Sequence, residues 1–138
     1  PRRGGPGRNR PRAPPGFARD QALSVTEAGL AANGKPDAII CANDDMALGA
    51  AEACAARGFT DVKIYGFDAL PEALAAVRDG KLAGTVEQFP GEQSRTAVRI
   101  AVAFAKDGTK PESNLVLLTP IVIGKDNLDK AERLGEVQ

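Results

Sequence analysis

Histidine is absent from this 138-residue chain, and so is tryptophan. Without histidine the chain lacks the side chain that most often acts as a general base near neutral pH and most often ligates metals. Cysteine is nearly absent too. Cys41 and Cys54 are too few for a disulfide framework. Cys41 falls at the end of a predicted strand and Cys54 about nine residues into the next predicted helix, which at roughly 1.5 Å of rise per residue separates the thiols too far to bridge. Two free, buried thiols are expected. No run of about 18 apolar residues occurs, so no transmembrane helix and no direct membrane insertion are expected; the longest nearly apolar window, 96–105, is interrupted by Arg99. The basic start is not followed by the apolar stretch of a secretory leader. Also missing are GxGxxG and GxxxxGK[ST], which would cradle phosphates, and GxSxG, which would mark a nucleophile.

The charges that are present are unevenly placed. The first 19 residues hold six of the 18 basic groups and none of the 18 acidic ones. The remainder is therefore acidic, which argues against nucleic acid as a partner, because phosphate binding needs a basic surface. Residues 1–16, PRRGGPGRNRPRAPPG, contain five of the ten prolines and show no apolar periodicity. Such a segment buries too little surface to offset its ordering entropy and is expected to be disordered.

From Phe17 onward strands and helices alternate. Leu23, Thr26, Glu27 and Leu30 recur at helical spacing up to Asn33-Gly34. The strand 38–42 follows, apolar on both faces as a buried parallel strand would be, and then a helix rich in alanine that reaches Arg57. A strand over 62–66 precedes a helix that starts at Pro71 and stops at Gly80. A third strand, 84–87, leads into a longer helix over about 92–106. Two late strands, 115–118 and 121–123, precede a last helical turn or two near 126–134. This alternation predicts an α/β fold with an open, mostly parallel, doubly wound sheet and right-handed crossovers.

In open α/β sheets ligands bind beyond the carboxyl ends of the strands. The first three strands end in Asn43-Asp44, Phe67-Asp68 and Gln88-Phe89. Asn43, Asp68 and Gln88 offer planar donors and acceptors that match the adjacent hydroxyls of a sugar. Phe67 and Phe89 could wall such a cleft. Each has a local alternative: Asn43 as a turn residue, Asp68 as a cap or turn residue for the Pro71 helix, Gln88 as a surface residue, the two phenylalanines as core. Asp44 reads as the N-cap of its helix. Asp44 and Asp45 sit side by side, but neighbours in a first turn point apart, so no metal site is expected. No nucleophile has a base partner and no acid–base carboxylate pair is identifiable. Catalysis and a cofactor are therefore not expected.

Three stretches, NDDMALGA at 43–50, IYGFD at 64–68 and GKLAGTVEQFP at 80–90, taken in order and spacing, resemble the ribose-binding-protein group of periplasmic solute-binding proteins. The resemblance runs from about Arg19 to Leu134 and corresponds to the later half of such a protein. It implies two α/β lobes that close on a sugar and deliver it to a membrane ABC transporter permease, in the periplasm or cell envelope. It implies that Asn43, Asp68 and Gln88 contact the sugar. It further implies that 17–88 and 119–138 form the second lobe, while 89–118 crosses to a first lobe that has no counterpart here. Regulators of the lactose-repressor type share the effector-binding fold and an ND…GFD pattern and are the alternative; residues 1–16 are not a helix-turn-helix, and the TVEQFP and IVIGKDNLD stretches favour transport.

Overall fold

A computed structural model of the chain describes residues 16–137. Apart from Gly16, the segment expected to be disordered lies outside the described residues. The element order is α1 (Arg19–Asn33), β1 (Ala38–Ile40), α2 (Asp44–Ala56), β2 (Lys63–Tyr65), α3 (Pro71–Arg78), β3 (Thr85–Glu87), α4 (Pro90–Asp107) and β4 (Ile121–Ile123), followed by 3-10 turns at Lys125–Lys130 and Leu134–Glu136. Pro71 and Pro90 open their helices, where the missing N–H of proline costs nothing.

β1 and β2 pair in parallel, Ile39 opposite Ile64. β3 and β4 pair antiparallel, Val86 opposite Val122. A parallel bridge between Tyr65 and Gly84 joins the two pairs, reinforced by Gly66 N–H to the Gly84 carbonyl and Asp68 N–H to the Val86 carbonyl. The result is one short sheet in the order β1-β2-β3-β4, with its first three strands parallel. This is the mostly parallel α/β arrangement that the alternation predicts.

α2 and α3 bury one face of the sheet. Ala47, Ala50 and Ala53 of α2 are buried, and small side chains allow a close approach. Gly49 goes further: a Cβ there would stand 2.2 Å from the Arg19 carbonyl oxygen at the start of α1. Leu30, Cys54, Ile64, Val77 and Leu82 complete this core. A second cluster, Ala69, Leu74, Ile123 and Ala131, ties α3 and β4 to the carboxyl-terminal turns. Leu74 and Ile123 are wholly buried, and burial of such a side chain stabilises by about 1.5–3 kcal/mol.

Two expectations change. β1 is apolar on both faces but half-buried on one, at Ile39, and open on the other: Ile40 is 84% exposed, because no described element packs over the side of the sheet that carries Ile40, Tyr65 and Val122. The segment 115–118 is not a strand. An extended run needs a neighbour's carbonyls and N–H groups, and here the Leu115 N–H donates to the Ser113 hydroxyl instead. Both cysteines are free; Cys54 is buried and Cys41 half-buried. No residue of α4 is buried, and Val98 and Phe104 are more than half exposed.

Candidate functional site

The strand order brings the three tips side by side. Asp44 N–H donates to the Phe67 carbonyl (2.9 Å), joining the end of β1 to the end of β2, and Asp68 N–H to the Val86 carbonyl (3.0 Å) joins β2 to β3. Asp68 and Gln88 touch directly: the Gln88 amide donates to the Asp68 carboxylate at 3.0 Å. Both are half-buried, so each keeps polar surface free. Burial raises the Asp68 carboxyl above the usual range. The Gln88 bond opposes that shift, the charge of Asp45 adds to it, and that of Arg133 lowers it.

Asn43 lies at the adjacent tip, yet its side chain is already engaged. Its oxygen accepts the Met46 N–H (3.0 Å), and its amide nitrogen reaches the Phe17 carbonyl at 3.4 Å. Asn43 is therefore the N-cap of α2, and the reading of Asp44 as that cap is corrected. Freed from capping, Asp44 turns inward and is completely buried. Its carboxylate accepts the Leu70 N–H at 2.8 Å and the Thr85 hydroxyl at 2.6 Å. Burial pushes its carboxyl up to about 6, opposed by these two bonds and assisted by the charges of Asp68 and Asp45.

Phe67 and Phe89 are both half-buried beside the tips. Phe89 adopts a left-handed conformation (φ 56°, ψ 57°) as the residue preceding α4, and its N–H donates to the Glu87 carboxyl group at 2.6 Å. The other Glu87 oxygen accepts the Glu132 N–H at 3.0 Å. This wholly buried side chain thus pins the end of β3 to the carboxyl-terminal turns.

Sequence reasoning missed several neighbours. Arg133, on the carboxyl-terminal turns, is near enough for its charge to act on Asp68. Arg19 pairs with Asp45 and Glu72. Neither has a local signal, because each gains its neighbour through the fold. Phe17, 65% exposed, adjoins Asn43; it stands against the proline- and glycine-rich segment and belongs to no periodic pattern. Among the described residues no group of three histidine, cysteine or acidic side chains is placed to hold a metal. The chemistry the cluster offers is a carboxylate and two amides at one rim, with cations and aromatic rings beside them.

A model of the periplasmic binding protein domain matches residues 13–110. The ribose import binding protein of Salmonella typhimurium is 40% identical over 110 residues, which is 80% of this chain and 37% of that protein. The structure of a Caulobacter myo-inositol binding protein bound to myo-inositol superimposes with a TM-score of 0.78 at 49% identity, covering 87% of this chain and 41% of that one. A periplasmic ribose ABC transporter protein from Conexibacter woesei gives a TM-score of 0.74 at 33% identity, covering 83% and 39%. The chain thus spans about two fifths of the length of these relatives. With the fold and these likenesses in agreement, the chain belongs to the periplasmic binding protein family.

Proposed function

We propose that this chain supplies one wall of a sugar-binding cleft in the solute-binding component of an ABC-type uptake system. The observation that carries this reading is the Asp68–Gln88 pair at the strand tips, 3.0 Å apart. A carboxylate takes two hydroxyl donors, and an amide both donates and accepts. A vicinal diol on a sugar or a cyclitol presents that complement. Asn43 contributes at the next tip, Phe67 and Phe89 close the sides, and exposed Phe17 offers an apolar face to the ring. The names of the relatives, ribose and myo-inositol binders, support the ligand class. The partner is a membrane permease, and the place of action is the periplasm or cell envelope.

The same reading divides the chain. Residues 17–88 and 119–138 form one lobe, and 89–118 belongs to a crossover toward a second lobe. The lack of any buried residue along α4 and the exposed Leu115 and Leu117, at 65% and 76%, support that division.

The test is a chemical-shift titration of the full chain with D-ribose, D-allose, D-galactose and myo-inositol. Saturable shifts at the amides of Asn43, Asp68 and Gln88 are expected, with the ligand recovered unchanged. No response to any of the four, or a chemically altered sugar, would overturn the reading.

A further inference from the structure

Between β2 and α3 the chain makes a turn that is costly to hold. Asp68 and Ala69 are consecutive non-glycine residues with positive φ, 109° and 50°. Such conformations persist only where the surroundings over-determine them. Here every N–H of the turn is taken: Asp68 by the Val86 carbonyl at 3.0 Å, Ala69 by the Thr85 hydroxyl at 3.2 Å, and Leu70 by Asp44 at 2.8 Å. The Thr85 hydroxyl in turn donates to the second oxygen of Asp44 at 2.6 Å. Two of the three bonds therefore end, directly or through Thr85, on one carboxylate with no solvent exposure. The space around it is shaped to match. A Cβ on Gly66 would lie 2.1 Å from an Asp44 oxygen, so the chain beneath the turn has room for this carboxylate and not for a side chain.

As a deepening of the ligand-site reading above, on which it rests, we propose that Asp44 is a positioning residue: through Leu70 and Thr85 it fixes the Asp68–Leu70 turn and so aims Asp68 and its partner Gln88 at the ligand. Asp44 does not touch the ligand. A neutral group at this place cannot accept at both oxygens, since an amide or a protonated carboxyl offers one acceptor and one donor. The ionisable and charged groups around it are Asp45 on its own helix, Cys41 at the end of β1 and Asp68 on the turn. The charge of Arg133 acts on Asp68, and Arg19 pairs with Asp45. With its carboxyl at about 6, Asp44 loses its charge in mildly acidic solution, and the turn loses an acceptor with it.

The experiment is a pH series of amide and carboxyl NMR spectra on the full chain, repeated for Asp44→Asn, Thr85→Val and Thr85→Ser. In the parent, the Ala69 and Leu70 amides are expected to titrate together with the Asp44 carboxyl, near pH 6. In Asp44→Asn that step disappears, and the Leu70 amide exchanges faster with solvent at every pH. Thr85→Val releases the Ala69 amide, while Thr85→Ser, which keeps the hydroxyl, restores it. Titration with myo-inositol then shows affinity at Asp68 and Gln88 falling roughly tenfold in Asp44→Asn, the scale of one charge-assisted hydrogen bond. Unchanged amides at 69 and 70 in Asp44→Asn, or Thr85→Ser behaving as Thr85→Val, overturn the proposal. So does an altered turn with unaltered myo-inositol shifts. If the parent responds to no sugar or cyclitol, the ligand reading fails, and the turn amides alone decide what Asp44 holds in place.

Discussion

Asp68 keeps its carboxylate at the rim of the strand-tip cluster, and Asp44 is buried beneath it. Their environments set different expectations. Replacing Asp68 by Ala removes a charged acceptor from the proposed ligand and leaves Gln88 without its partner; the expected loss is about 1.5–3 kcal/mol of sugar affinity, measured by calorimetry or shift titration. Asp44 affects stability through its proton. Its carboxyl titrates at about 6 in the fold, above its value in an unfolded chain, so the native state binds this proton more tightly. Stability from this group is therefore highest below about pH 4, falls as pH rises toward 6, and levels off above. Urea melts between pH 4 and 8 are expected to show that slope in the parent relative to Asp44→Asn; equal slopes would remove the assignment. The two aspartates also show what a sequence can reveal. Asp68 and Gln88 were legible because a strand ending in a polar residue places it at the carboxyl edge of an open sheet. Asp44 was not: an acidic residue opening a helix looks like a cap, and only the nearness of Thr85 and Leu70, far along the chain, turns it inward. Arg133 was hidden for the same reason.

Among the elements, α4 departs furthest from self-sufficiency. Its sequence pattern is strongly amphipathic: Arg95 and Arg99 both donate to Glu92 along one side, while Val98 and Phe104 stand in solvent. Its attachment is concentrated at its base, where the Glu132 carboxylate accepts the Gly91 N–H and pairs with Arg95. Beneath that, Glu87 accepts the N–H groups of Phe89 and Glu132 on its two oxygens. Glu87→Gln turns one oxygen into a donor that faces an N–H. A loss of about 1–3 kcal/mol is expected, together with faster hydrogen exchange at Phe89 and Glu132; unchanged protection would show that the base of α4 is held by other means. The course of α4 was legible from its spacing, which predicts a helix over about 92–106; the observed helix begins two residues earlier, at Pro90. The absence of a strand at 115–118 was not, because a strand is a property of a pair, and an apolar run reads the same whether or not a neighbour is there to receive it.

At the scale of the molecule, the apolar surface is divided between a well-filled core and two uncovered regions. Ile40, Tyr65 and Val122 cross one face of the sheet, while α4 and 115–117 expose Val98, Phe104, Leu115 and Leu117. Patches of this kind favour association, and among the described residues no strand pairs with the outer edge of β1, which leaves its backbone groups ready to pair. The full chain is therefore expected to self-associate as concentration rises and to bind a hydrophobic dye in its folded state. Gel filtration across a concentration series checks this. A strictly monomeric, dye-silent protein melting cooperatively above about 60 °C, the upper part of the mesophile range, would show that these surfaces are covered in solution.

The conformation of Phe89 gives this geometry a mechanical side. The residue sits between Gln88 and a helix of 18 residues, a rod about 27 Å long. Rotation about its backbone bonds acts at the fulcrum of that rod. A turn of roughly 10° there displaces the far end, near Asp107, by about 5 Å over such a length, while Gln88 beside the fulcrum barely moves. The coupling also runs the other way: a load applied across the far end of the rod reaches the strand tips as a torque, focused on Phe89, a backbone position already wound against its preferred hand.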